Sequence, residues 1–435
     1  MKLRSLVLFL LATCPVVALA QQQNQQGARI PPKGSDVVKV IAHTQVGDWG
    51  TLIRSLEVTV NNEDVIKDLT ASDFDFINNG PGTLYDPKTG EGVKPYEDDG
   101  ITLEKNGNKL IINVKPFDAE GVRNEKFQKQ AWYVTCKKSS VAFSMRDVSE
   151  KTIDIIDDCI HGFFSYAGLT REYMLYLPKD ENGQVIKNVP LLVWQIGGGE
   201  YNQNMMTVAL ANKCLVSLPE NKQKCATLVF ALANPNYMYS ASLDPEKIKL
   251  IDRNNALQMA FIDTLIKDGA VDGSKLFCAG ASSGGGCTMR FMMQFPERFK
   301  AALPCCAMDP IVPIHQVKEA YDGQFLKDVT AAFQGKVYKW NGRDMELQDI
   351  NLKAFLKLPL YFVHAQDDTT CKVISSQVYF AARKNLGAKN DVLRIYSDQE
   401  MKEYGFGGML SHFSWCRMLN DYTKGSAMDW MVRKF

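Results

Sequence analysis

The chain has almost no net charge, +1 over 435 residues, and no basic run interleaved with aromatic residues. Nucleic acid is therefore not an expected partner, because phosphate binding needs clustered Lys and Arg. Past the first twenty residues, no stretch approaches the roughly 20 apolar residues that a membrane span needs. No Cys-x-x-Cys pair is present and the one adjacent pair is Cys305-Cys306, which gives little support to a zinc or redox site. No cofactor and no metal is expected. No repeat of blade or solenoid length occurs. Histidine is scarce too, with five in the chain, so a search for a catalytic base can proceed by elimination.

What is present begins with an export signal over residues 1–20. Lys2 and Arg4 precede the apolar run Leu6 to Ala12, and Ala18-Leu19-Ala20 offers a small-x-small cleavage site before Gln21-Gln22-Gln23. Pro15 and the shortness of the run argue against an anchor, and Thr13 is a poor residue to precede an acylated Cys14. The expected location is secreted or periplasmic, with a flexible Gln-rich leader over 21–36. Eleven cysteines less Cys14 leave ten, an even number in an exported chain, so disulfides are expected. Cys214 and Cys225 bracket a short polar loop and form the easiest bridge; Cys371 and Cys416 follow Asp368 and His412 by only a few positions, so a bridge there would tie two loops together, with connectivity left open.

The chain is long enough for two cores, and its texture changes near residue 150. From Val37, short β-like runs alternate with turn signals: Val37 to Ile41, Ser55 to Val60, Lys109 to Val114, Ala131 to Cys136 and Val141 to Met145. Residues 37–150 thus read as an all-β sandwich holding one histidine, His43, and no nucleophile motif. Over 151–435, apolar runs alternate with amphipathic stretches: Leu191 to Ile196, Thr227 to Leu232, Lys275 to Ala279, Ala301 to Pro304, Leu360 to His364 and Val392 to Tyr396. Arg253 to Lys267 places Leu257, Phe261, Leu265 and Ile266 on one helix face. Such alternation predicts an α/β domain, a mostly parallel sheet with helices on both faces. Residues 311–357 interrupt it, as a lid or a plain surface excursion.

Gly280-Ala281-Ser282-Ser283-Gly284 matches G-x-S-x-G, with a strand before it and a helix, Cys287 to Gln294, after it. That is the context of a nucleophile elbow, whose sharp turn demands tiny residues two before and two after the serine. A glycine-rich turn that binds phosphate is the plain alternative. A serine hydroxyl needs an imidazole to take its proton. His43 and His161 precede the serine, His315 lies in the excursion, and His364 ends a strand; His412 alone comes late in a loop of small residues. Asp367 and Asp368 follow His364, and either suits the acid, as either with His364 suits a metal that lacks a third ligand. The backbone of Ser283 is the expected first oxyanion donor, and Gly198 and Gly199, after the strand ending at Ile196, supply the second.

Together these residues resemble the secreted esterases that include feruloyl esterases and polyhydroxybutyrate-depolymerase-like enzymes, from about Cys159 onward. Members carry L-H-G-x-G-E, G-x-S-x-G-G followed by Y-P-x-R-F, H-G-x-x-D and G-H-x-S-W. Here these stand as Gln195-Ile196-Gly197-Gly198-Gly199-Glu200, the Ser282 elbow with Phe295-Pro296-Glu297-Arg298-Phe299, His364-Ala365-Gln366-Asp367-Asp368, and Ser411-His412-Phe413-Ser414-Trp415. The resemblance implies the α/β-hydrolase fold, selects Asp368 over Asp367, and pairs the first half with the immunoglobulin-like domain of some bacterial members. Ile196 and Ala365 depart from the pattern, the first at the oxyanion loop.

The expected activity is hydrolysis of short-chain or aromatic (feruloyl-like) carboxylic esters, free or linked to a polysaccharide, through an acyl-enzyme on Ser282. Trp415, Tyr237, Tyr239 and Trp340 are candidates to line an acyl pocket, against core packing for each. A serine exopeptidase on the same fold and a non-catalytic carbohydrate-binding protein are the alternatives.

Overall fold

A computed structural model describes residues 31–48, 50–78, 101–121, 132–200, 205–210, 225–231, 245–307, 323–335, 338–340, 343–345 and 351–435. Residues 1–20, expected to be an export signal, together with Cys14, Cys214, Tyr237, Tyr239 and His315, lie outside them.

The first eight strands are β1 (Val37–Val46), β2 (Gly50–Val60), β3 (Phe74–Asn78), β4 (Thr102–Asn106), β5 (Lys109–Gly121), β6 (Trp132–Cys136), β7 (Ala142–Ser144) and β8 (Val148–Ile153). They form two sheets, β4-β5-β2-β1-β8 and β3-β6-β7. The pairing is antiparallel except that β8 runs parallel to β1. The two sheets share one core, in which Val40, Leu56, Val58 and Ile112 of the first meet Phe76, Trp132, Val134 and Phe143 of the second.

The remaining chain builds one eight-stranded sheet. Its strands are β9 (Ile160–Tyr166), β10 (Leu169–Tyr176), β11 (Val189–Gln195), β12 (Ala226–Phe230), β13 (Val271–Ala281), β14 (Ala301–Cys305), β17 (Tyr361–Ala365) and β18 (Val392–Tyr396), with β15 (Tyr338–Trp340) and β16 (Arg343–Met345) set apart as a hairpin. The order is β18-β17-β14-β13-β11-β12-β10-β9. From β12 to β18 all neighbours run parallel, while β9 and β10 are antiparallel additions at one edge. Every residue of β11 is buried, because its two faces feed two cores. Leu192 and Trp194 point into one cluster, Leu191 and Val193 into the other. Val189 to Trp194 therefore read as an unbroken apolar run, closed by Gln195, whose side chain pairs with that of Gln258.

Among the helices, α1 spans Met205–Leu210, α2 Pro245–Lys267, α3 Ser283–Gln294, α4 Gly323–Phe333, α5 Leu352–Lys357, α6 Ile374–Asn385, α7 Asp398–Glu403, α8 Ser414–Asn420 and α9 Ala427–Val432. The described parts of 311–357 are no detached cover. Phe325, Val329 and Phe333 of α4 and Phe355 of α5 are core residues, and Phe333 stacks on Tyr379 at 5.8 Å.

The two halves touch at the β1–β2 connection. Val46 belongs to the core of the second half. Asp48 accepts a hydrogen bond from Asn420 Nδ2 at 3.0 Å and lies 3.2 Å from the Tyr404 hydroxyl.

Arg383 ties α5 to α6. Fully buried, it donates twice to Asp391, at 2.7 and 3.0 Å, and to the carbonyls of Phe355 and Leu358, each at 2.7 Å. Removing one partner of such a pair leaves an uncompensated buried charge. Arg383→Leu is expected to lower the unfolding free energy by about 3–5 kcal/mol, read from urea denaturation.

Candidate active site

Strand β13 ends at Ala281 and α3 starts at Ser283, leaving Ser282 alone to make the turn. It does so at φ +58°, ψ −124°, a left-handed conformation that costs a non-glycine residue about 1–3 kcal/mol. The strain is held because the neighbours leave no slack. A Cβ on Gly280 would sit 2.6 Å from the carbonyl oxygen of Gly284, and one on Gly284 would be driven into the Gln195 carbonyl. The Ser282 amide donates to the Cys305 carbonyl at 3.1 Å, which fastens the turn to β14.

Three side chains from distant segments meet here. The imidazole of His412 lies between Ser282 and Asp368, with Nε2 3.1 Å from Ser282 Oγ and Nδ1 2.8 Å from Asp368 Oδ2. All three are buried, Ser282 and His412 each 8 % exposed and Asp368 3 %. His412 is on the two-turn 3₁₀ stretch Gly408–Phe413 ahead of α8. Ser411 beside it anchors this stretch, its hydroxyl donating to Asp367 Oδ2 at 2.7 Å and lying 3.2 Å from the Phe406 carbonyl oxygen. The two adjacent aspartates thus take different tasks: Asp368 faces the imidazole, Asp367 the neighbouring serine.

Asp368 follows β17 and is the most constrained member. Its Oδ1 accepts the backbone N–H groups of Thr370 and Cys371 at 2.8 and 2.9 Å. Burial alone would raise its pKa, but hydrogen bonds from His364 and His412 outweigh that and hold it well below the usual carboxylate range. An ionised Asp368 can only accept, so His412 Nδ1 carries the proton and a neutral ring leaves Nε2 free to accept from the Ser282 hydroxyl.

His364 went unrecognised as a partner in the sequence. Its Nε2 donates to the Cys371 carbonyl at 2.8 Å and lies 3.3 Å from Asp368 Oδ2, while Nδ1 accepts from the Ser376 hydroxyl at 2.8 Å. The letter that could have shown it is its four-residue lead over Asp368 at the end of a buried strand. Two thiols also flank the serine: Cys371 Sγ is 3.7 Å from Ser282 Oγ, and Cys306 Sγ 3.3 Å from the Ser282 amide nitrogen. Cys371 is a free thiol, so the suggested bridge to Cys416 is not made. Its side chain is turned to the serine because its own amide caps Asp368.

The loop after β11 abuts this group. A Cβ on Gly197 would lie 3.7 Å from that of Ser282. The Gly197 amide donates to Glu200 Oε2 at 2.6 Å, and the buried Glu200 so pins the turn Gly198–Glu200. With the Gly197 amide committed, Gly198 and Gly199 are the loop's remaining candidates to face the serine, opposite Ser283 at the start of α3. Trp415 is 2 % exposed and packs edge-on to His412 at 5.3 Å. Its ring belongs to the core beneath the imidazole, where α8 turns it inward. Trp340 falls on the β15–β16 hairpin.

The sequence profile described as the prolyl oligopeptidase family matches residues 253–400. No curated protein sequence matches the chain. Among solved structures, a thermostable esterase aligns with TM-score 0.60 at 18 % identity, over 91 % of this chain and 99 % of that one. The Est1E protein of Butyrivibrio proteoclasticus aligns with TM-score 0.33 at 19 % identity, over 55 % of this chain and 88 % of its own. An acylaminoacyl peptidase of Pyrococcus horikoshii gives 0.37 at 14 %, over 78 % and 46 %. At such identities likeness shows the fold alone, and the sheet order with the thermostable esterase establishes the α/β-hydrolase fold.

Two predictions follow from the packing and charge of this group. Gly284→Ala is expected to displace the elbow and destabilise the fold by at least about 2 kcal/mol, measured by thermal unfolding. Because Asp368 is depressed in the folded state, its contribution to stability is complete above the ordinary carboxylate pKa and is lost as pH falls below it. The stability gap between wild type and Asp368→Asn should therefore narrow as pH drops from about 5 downward, followed by denaturant titration.

Proposed function

We propose that the chain is a serine hydrolase that cleaves carboxylic esters through an acyl-enzyme. The observation that carries this reading is the hydrogen-bonded relay of Asp368, His412 and Ser282, with the serine presented on a strained strand-to-helix turn.

Ser282 attacks the ester carbonyl while His412 Nε2 takes its proton, and the cation so formed is stabilised by ionised Asp368. The developing oxyanion is received by the backbone N–H of Ser283 and by Gly198 or Gly199, near the positive end of α3. His412 then hands its proton to the departing alcohol. Water repeats the sequence on the acyl-serine and restores the enzyme.

The substrate class we assign is short-chain or aromatic esters, feruloyl-like groups on a polysaccharide included. Support comes from the motif set shared with that esterase family and from the export signal over residues 1–20. We also read the two N-terminal sheets as an immunoglobulin-like module, ending near residue 150 and joined to a secreted or periplasmic catalytic domain. A serine exopeptidase is the second reading, favoured by the prolyl oligopeptidase profile over 253–400.

Purified full-length enzyme is expected to hydrolyse p-nitrophenyl acetate or butyrate, and Ser282→Ala to lose at least about 10⁴-fold in kcat. Asp368→Asn should fall by about 10⁴-fold as well, its imidazole held in the wrong tautomer. Faster turnover of aminoacyl-p-nitroanilides than of any ester would transfer the assignment to the peptidase reading. Equal rates for wild type and Ser282→Ala would end both.

A further inference from the structure

Beyond the relay itself, the buried groups around Ser282 form a second constellation. Cys306 immediately follows β14 and adopts φ +37°, a bend that brings its thiol back toward the elbow. The bend is fixed by its own amide, which donates to the Val363 carbonyl of β17 at 2.7 Å. One ligand atom each from Cys306, Asp368 and His412 lies within 4.8 Å of the other two, and all three residues are buried. Sulfur, imidazole nitrogen and carboxylate oxygen are thus gathered behind the nucleophile.

We propose that Cys306, Asp368 and His412 constitute an inhibitory site for a thiophilic divalent cation such as Zn²⁺. Zinc holds sulfur at about 2.3 Å and nitrogen or oxygen at about 2.0–2.2 Å, so its neighbouring ligands stand roughly 3.2–3.7 Å apart. The observed spacing reaches that geometry with side-chain shifts on the order of 1 Å. A thiolate with an imidazole selects zinc or cadmium over magnesium and calcium, which take oxygen ligands. Three protein ligands leave a fourth position for water. On binding, the thiol gives up its proton to solvent and a sulfur–metal bond replaces the sulfur–hydrogen bond.

Inhibition follows whichever ring nitrogen binds. A cation on Nδ1 replaces the proton that His412 shares with Asp368. A cation on Nε2 occupies the lone pair that must receive the Ser282 proton. Cys371, although 3.7 Å from Ser282 Oγ, is not part of this set and serves as the neighbouring control thiol.

Binding is testable without turnover, so its failure and the failure of the esterase reading are separable; only the inhibitory consequence rests on that reading. Full-length protein, stripped with chelator, is titrated with Cd²⁺ while the thiolate-to-metal charge-transfer absorption is followed, and with Zn²⁺ by calorimetry. Wild type should take up one ion with a charge-transfer band. Cys306→Ser should lose the band and bind Zn²⁺ at least tenfold more weakly, and His412→Ala should weaken binding likewise. Cys371→Ser and Ser282→Ala should bind as wild type does. Zn²⁺ should suppress hydrolysis by wild type reversibly on chelation, and should suppress Cys306→Ser far less, relative to that variant's own uninhibited rate. A band that persists in Cys306→Ser, or disappears in Cys371→Ser, would overturn the assignment, as would an absence of binding to wild type. Should Cys306→Ser fail to fold by circular dichroism, Cys306→Ala and His412→Ala carry the same comparison.

Discussion

A serine can stand at φ +58° between a strand and a helix only where both approach too closely to let the chain relax. Gly280 and Gly284 enforce that approach, since a side chain at either would collide with backbone oxygen of Gly284 or Gln195. The consequences spread outward. Helix α3 must begin at Ser283, which puts its N-terminal amides beside the hydroxyl. Strand β13 must lie inside the sheet, between β11 and β14, so that the loops after β11, β14 and β17 converge at its end. The remaining site residues are supplied by those loops and by the turn before α8.

Electrostatics then determines what the assembled group can do. Asp368 is taken out of water, which by itself favours the neutral acid, yet two histidines and two backbone amides face it. The carboxylate stays charged, and its charge fixes which nitrogen of His412 carries the proton. His364 acts in this scheme as a brace: held by Ser376 and the Cys371 carbonyl, it shapes the loop that carries the acid. The two adjacent aspartates engage successive residues of the His412 stretch, Asp367 the Ser411 hydroxyl and Asp368 the imidazole.

Much of this was legible in the chain. The elbow could be read because its steric demand leaves glycines at fixed offsets, and the sheet because strands buried on both faces are uninterrupted apolar runs, as in Val189 to Trp194. His412 could be reached by chain order, since only one of five histidines comes late. The antiparallel pair β9 and β10 was not legible, as its residues are largely exposed or half-buried and lack a two-residue alternation. Helix α2 begins at Pro245, eight residues ahead of the amphipathic stretch that signalled it. The closeness of Cys371 and Cys416 to two site residues suggested a bridge, but local hydrogen bonding turns Cys371 elsewhere. Cys306 offered no signal at all, because its place under the serine is set by a backbone bend. Trp415 resembled a pocket aromatic and is instead buried under the imidazole, a distinction that depends on which way α8 rotates its first turn.

Asp48 belongs to the connection between the first two strands, yet its two carboxylate oxygens face Tyr404 and Asn420, residues that bracket the histidine stretch in sequence. Tyr404 is stacked on Phe406, whose carbonyl oxygen lies 3.2 Å from the Ser411 hydroxyl next to His412. The second half cut free of the front sheets would present a phenol, a carboxamide and the apolar seat of Val46 to solvent at the place where the imidazole is supported. The two halves are therefore coupled at this seam: a foreign front module grafted onto this α/β sheet would have to reproduce an acidic hairpin tip in the same spot.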